Sequence, residues 1–187
     1  MKRLGILISG RGSNFEAISK NVAAGKIDAE IAVVVSNRPG ARGLEIARER
    51  GLNAVCVPSK GLDREVYDRM VLAELAKYNV DLVCLAGFMR LLSATFIRQF
   101  PNAILNIHPS LLPAFKGLRA WEQALAAGAA ETGCTVHFVN QDIDAGEIIA
   151  QQRVPVLAGD TPETLHARIQ VAEHELYPAA LRKVLGQ

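Results

Sequence analysis

Apolar positions along this chain fall into two alternating textures. Leu4–Ser9, Glu30–Ser36, Ala54–Val57, Leu82–Ala86 and Ala103–Ile107 are short, nearly unbroken apolar runs. That is the pattern of strands covered on both faces. Between them, Asn14–Asn21, Arg42–Arg50, Asp63–Lys77 and Ala94–Phe100 mix apolar and charged residues as amphipathic helices do. Such alternation predicts a parallel sheet with right-handed crossovers. The second half changes texture. Ala120–Ala127 reads as a helix, and Gly133–Val139 sets Cys134, Val136 and Phe138 against Thr135, His137 and Val139, a strand with two different faces. Glu147–Val154 is a further strand, so a hairpin-like appendix is expected. Thr161-Pro162-Glu163 opens the last helix with an N-cap, a first-turn proline and an early acid. That helix is expected to run to about Val184, with a kink at Pro178. No repeat or Gly/Ser linker divides the chain, and the expectation is one α/β domain: a three-layer, mostly parallel, twisted sheet.

Composition narrows the class without naming a chemistry. Half of the 187 residues are hydrophobic and the net charge is +2, which argues against disorder. The 21 basic and 19 acidic residues are dispersed, leaving no stripe for nucleic acid while suiting an anionic small substrate. No apolar run approaches the ~18 residues of a membrane helix. The opening MKRLGILISGRGS is too briefly apolar for a signal peptide. Cys56, Cys84 and Cys134 lack C-x-x-C spacing and lie in apolar stretches, as free thiols in a reducing cytoplasm do. Four scattered histidines form no metal pattern, so no metal is expected.

Ligands of open α/β sheets gather at the carboxyl ends of the strands, which directs attention to the segments that follow them. After the first strand, Gly10-Arg11-Gly12-Ser13-Asn14 leads into a helix. Small residues permit a tight turn, and the helix N-terminus offers N–H groups and partial positive charge to a phosphate. The ordinary alternative is a β–α turn with a Ser or Asn cap. Phe15 stands where a dinucleotide fingerprint needs its third glycine, so one phosphate fits better than two. After the fifth strand, Asn106 and His108 are two residues apart and share a face, and Pro109 and Pro113 stiffen the exit. An amide donor and an imidazole suit a carbonyl under attack. A capping Asn and a surface His would look the same in sequence. Asp142 and Asp144 supply candidate carboxylates beside Gly146.

Four motifs in this order resemble the folate-dependent phosphoribosylglycinamide formyltransferases over essentially the whole chain. They are Ile8–Asn14, Ala86–Arg90, Asn106–Pro113, and Gly133–Val139 followed by Asp144-x-Gly146. The resemblance implies the formyltransferase fold, with a Rossmann-like, phosphate-binding half at about 1–100 and a catalytic, folate-binding half at about 101–187. It implies 10-formyltetrahydrofolate as co-substrate and a glycinamide ribonucleotide as acceptor in purine biosynthesis, in a cytoplasmic monomer or homodimer. By motif, Asn106, His108 and Asp144 would be catalytic. Gly12, Ser13 and Asn14 would take the phosphate, and Glu173 the ribose. Arg64, Met89, Arg90, Leu91 and Leu92, with Asn106, would meet the folate, helped by backbone around 140–143. His137 is assigned no role; His166 and His174 are expected on a helix surface, and Trp121 and Phe88 in core or pocket wall. Two positions depart from the pattern: Arg119 stands where several relatives carry histidine, and Glu147 where proline commonly follows Asp-x-Gly. Larger relatives acting on tRNA or hydrolysing formyltetrahydrofolate carry extra domains, and at 187 residues the expectation is the formyltransferase core alone.

Overall fold

The computed structural model describes all residues, 1–187. Seven strands form one sheet: β1 (Lys2–Ile8), β2 (Ala29–Ser36), β3 (Ala54–Cys56), β4 (Leu82–Leu85), β5 (Ile104–His108), β6 (Glu131–Phe138) and β7 (Ile148–Pro155). Their order is β3-β2-β1-β4-β5-β6-β7. The first five run parallel, whereas β6 and β7 are antiparallel. The helices are α1 (Ser13–Ala23), α2 (Arg42–Glu49), α3 (Arg64–Lys77), α4 (Ala94–Gln99), α5 (Ala120–Ala126) and α6 (Pro162–Val184).

The expected elements all form, within a few residues of their predicted ends. The hairpin is not an appendix, however: β6 pairs with β5 and continues the same sheet. Its two predicted faces are both buried, since Thr135 and His137 are as inaccessible as Cys134 and Val136. Helix α6 runs through Pro178.

Two apolar layers sandwich the sheet. One joins alternate strand residues such as Ile6, Val34 and Cys84 to Phe15, Leu44, Ile169 and Tyr177. The other joins Leu7, Val33 and Val83 to Tyr67, Val71, Leu75 and Phe96. Alternation along each strand thus feeds opposite layers, which is why the strands read as continuous apolar runs. Tyr177 anchors α6 across the sheet, its hydroxyl lying 3.0 Å from Leu85 O and 3.1 Å from Leu105 O. Burial pushes the Cys84 and Cys134 thiols up to about 12, so both remain protonated packing groups. No helix is long and apolar enough to cross a membrane.

Candidate active site

Successive connections leave β1 and β4 on opposite sides, and a crevice opens between their carboxyl ends. Gly12 caps α1 at φ 75°, a left-handed conformation in which a side chain would be strained. No side chain caps the helix, so its first N–H groups remain open to a ligand. Gly43 of α2 packs under this turn and donates its N–H to Gly10 O at 3.1 Å.

The turn lines a cavity of about 390 Å³ shared with Arg38, Gly87, Met89, Pro109, Trp121, His166, Gln170 and Glu173. Glu173 is 6% exposed rather than on a solvated helix face. It accepts a hydrogen bond from Asn14 Nδ2 at 3.0 Å. The Asn14 amide thus gives one N–H to Glu173 and keeps a second, beside its backbone N–H. Burial raises the Glu173 carboxyl to about 7, partly opposed by the Asn14 bond. Asn14 Oδ1 is buried without a partner. Trp121 and His166 stack face to face at 3.7 Å and 6°, closing one wall.

A second cluster gathers around the end of β5. His108 is 5% exposed. Its Nδ1 lies 3.4 Å from Asp144 Oδ2 and its Nε2 lies 2.8 Å from Phe115 O. A carbonyl only accepts, so Nε2 carries a proton toward Phe115 O, while Nδ1 faces the Asp144 carboxylate. Asp144 Oδ2 also accepts from Gly117 N at 2.9 Å. The 115–117 turn thereby holds both members of the pair. Thr135 pins the chain just upstream, accepting from Leu112 N at 3.1 Å and donating to Ser110 O at 2.7 Å.

His137 belongs to this cluster. Register sets it opposite Asn106. Its Nδ1 lies 2.8 Å from Phe138 O, and a carbonyl only accepts, so Nδ1 carries the proton. Burial lowers its basicity and favours the neutral ring. The free Nε2 then accepts from Asn106 Nδ2 at 3.3 Å, which fixes the orientation of that amide. Gly146 is required in the same loop, because a Cβ there would overlap the Phe138 carbonyl.

The remaining predicted residues lie on neighbouring segments. Met89 and Leu91 are 61% and 49% exposed, and Ile143 is 54% exposed, which leaves apolar surface unburied on the 87–92 and 141–146 segments. Leu92 packs against the core instead. Arg64 is exposed at the start of α3 without an ion-pair partner. Arg90 lies over the Tyr67 ring, 4.5 Å from its centroid, and its Nε is buried without a partner. Arg119 turns to Glu122 at 3.6 Å. Sequence reading passed over Arg38 and Gln170, and it gave Trp121 and His166 no binding role. Arg38 could have been found by the carboxyl-end rule, since it is the second residue after β2.

Comparison with known proteins gives one family. The model of the formyl transferase family matches residues 2–181. Phosphoribosylglycinamide formyltransferase of Escherichia coli is 44% identical, covering 94% of this chain and 84% of that protein. The trifunctional purine biosynthetic protein adenosine-3 of Bos taurus is 46% identical over 97% of this chain, which spans only 18% of that relative's length. Glycinamide ribonucleotide transformylase 1 of Symbiobacterium toebii superposes with a TM-score of 0.95 at 50% identity, covering 97% of this chain and 86% of that one.

Proposed function

We propose that this chain, which belongs to the formyl transferase family, transfers a formyl group from 10-formyltetrahydrofolate to the amino group of N1-(5-phospho-D-ribosyl)glycinamide in purine biosynthesis. The observation that carries this reading is the approach of Asp144 to His108, 3.4 Å apart, with Asn106 one residue-pair along β5, beside a cavity built on a helix N-terminus. A phosphate suits the open N–H groups of Gly12–Asn14, with Arg38 at the rim. Ribose hydroxyls suit Glu173.

The residues also fit a reduced folate. The unburied apolar side chains Met89 and Leu91 suit the pterin side, joined by backbone of the 140–143 loop. Arg64 lacks an ion-pair partner, and Arg90 has an orphaned Nε; both suit the carboxylates of a folate tail.

In the reaction, the amine attacks the formyl carbon and a C–N bond forms, giving a tetrahedral oxyanion. Asn106 Nδ2 has one N–H on His137 and a second for that oxyanion. His108 supplies a further donor once its Nε2–H exchanges the Phe115 carbonyl for the oxyanion. Asp144 holds the His108 ring and, directly or through water, takes the proton the amine sheds. The C–N10 bond then breaks and N10 of the folate receives a proton. The three unpaired thiols suit a cytoplasmic setting.

The test is formyl transfer by wild type, His108→Ala and Asp144→Asn. Loss of about 10² to 10⁴ in kcat is expected for each variant, the range for a positioned acid–base or oxyanion group. Three equally active proteins would overturn the catalytic assignment. A wild type that binds folate but ignores this amine would move the assignment to another acceptor.

A further inference from the structure

The carboxyl ends of four neighbouring strands are tied by one buried chain of hydrogen bonds that no step above uses. Met89 N–H donates to Ser9 Oγ at 2.7 Å, Ser9 Oγ–H to Asn37 Oδ1 at 2.6 Å, and Asn37 Nδ2 to Ser59 Oγ at 3.1 Å. These residues follow β4, β1, β2 and β3, so the chain crosses the top of the sheet in the order in which the strands lie. Ser9, Asn37 and Ser59 are all buried, at 2%, 7% and 9% exposure, where water competes little.

Met89 N–H donates to Ser9, which passes its own proton to Asn37 Oδ1 and so leaves the Asn37 NH₂ for Ser59. Each bond in this arrangement supports the next.

Ser9 immediately precedes the phosphate turn. Its backbone N–H also donates to Gly87 O at 3.1 Å. Met89 lies beyond Leu85, the last residue of β4, so the sheet ladder does not hold it. Gly87 and Met89 line the same cavity as Gly12 and Glu173, and Met89 opens the folate-facing segment.

We propose that Ser9, oriented by Asn37 and Ser59, is a positioning residue that sets the spacing between the phosphate turn and the Gly87–Leu92 segment, and hence between amine and formyl carbon. This rests on the formyl-transfer reading above. Reacting atoms tolerate little displacement, and a misplacement of about 1 Å costs up to about 100-fold in rate.

The test uses Ser9→Ala, Ser9→Thr and Asn37→Ala in the full chain. It measures kinetics with both substrates, ribonucleotide binding, and hydrogen exchange at the Met89 amide. Ser9→Ala should lower kcat about tenfold and raise KM for 10-formyltetrahydrofolate, with ribonucleotide affinity altered less than about twofold. Ser9→Thr keeps the hydroxyl and should recover most of the loss. Asn37→Ala, which does not touch Met89, should give an intermediate loss and faster Met89 exchange. A folded Ser9→Ala protein with wild-type kcat and KM overturns the proposal. Should Ser9→Ala not fold, Asn37→Ala decides, and unchanged kinetics with unchanged Met89 protection overturns it. A wild type without formyl transfer refutes the activity instead, and Met89 exchange in Asn37→Ala then decides the coupling alone.

Discussion

Glu173→Gln is expected to make the protein more stable at alkaline pH while leaving acid stability nearly unchanged. The Glu173 carboxyl is raised from its ordinary 4.5 to about 7, chiefly by burial. Between those values the folded state binds the proton that the unfolded chain releases. Stability therefore falls as pH rises through this window and levels off above it. Integrating the two titrations from pH 5 to pH 8 gives a loss of about 2–3 kcal/mol. Glutamine keeps the shape and an oxygen for Asn14 Nδ2, and it carries no charge to desolvate. For a chain of this size the difference corresponds to about 5–10 °C in Tm. Denaturant or thermal unfolding of wild type and Glu173→Gln at pH 5, 6, 7 and 8 measures it. The two curves should converge toward pH 5 and separate toward pH 8. Parallel pH dependence would refute the assignment of this proton to Glu173.

Other consequences follow from the same geometry. Gly146→Ala should lower Tm and cut kcat at least about tenfold, because the loop carrying Asp144 must move away from the Phe138 carbonyl; wild-type turnover would contradict the close approach. Trp121→Ala removes one wall of the cavity and its stack with His166, worth about 0.5–1.5 kcal/mol. Ribonucleotide KM should rise several-fold with little change in KM for folate, and steady-state kinetics separate the two. His137→Leu deletes the acceptor that orients Asn106, a neutral bond worth about 1 kcal/mol. A drop in kcat of about fivefold, partly recovered by His137→Gln, is the expected outcome in formyl-transfer assays.

The strands and helices were legible because each is a local period of the chain. Burial on both faces makes β1, β2 and β4 read as apolar runs, and Thr161-Pro162 announces α6 by cap chemistry alone. The glycine turn after β1 was legible for the same reason, since glycines and a following helix are contiguous. Pairings set by strand order are not periodic, and these stayed hidden. Asn14 looks like a free phosphate donor until α6, 159 residues away, brings Glu173 against it. His137 looks like any strand histidine until the antiparallel register sets it opposite Asn106. The hairpin looked separate because its alternation resembles a half-exposed strand, whereas α6 covers the Cys134–Val136 face of β6 and the 110–112 segment meets Thr135 on the other.

These hidden pairings share a physical logic. A buried polar side chain without a partner costs about 1–3 kcal/mol, so each polar residue carried into the crevice needs another to satisfy it. Glu173 draws in Asn14, Asn106 meets His137, and His108 is held between Asp144 and Phe115 O. Each partnership uses one side-chain donor or acceptor and leaves another open. Asn106 and Asn14 each keep one amide hydrogen. A substitution that removes only the partner therefore leaves the contacting group present but unaimed. Its signature is a loss in kcat with substrate affinity largely kept, which separates the His137 variants from those of Trp121.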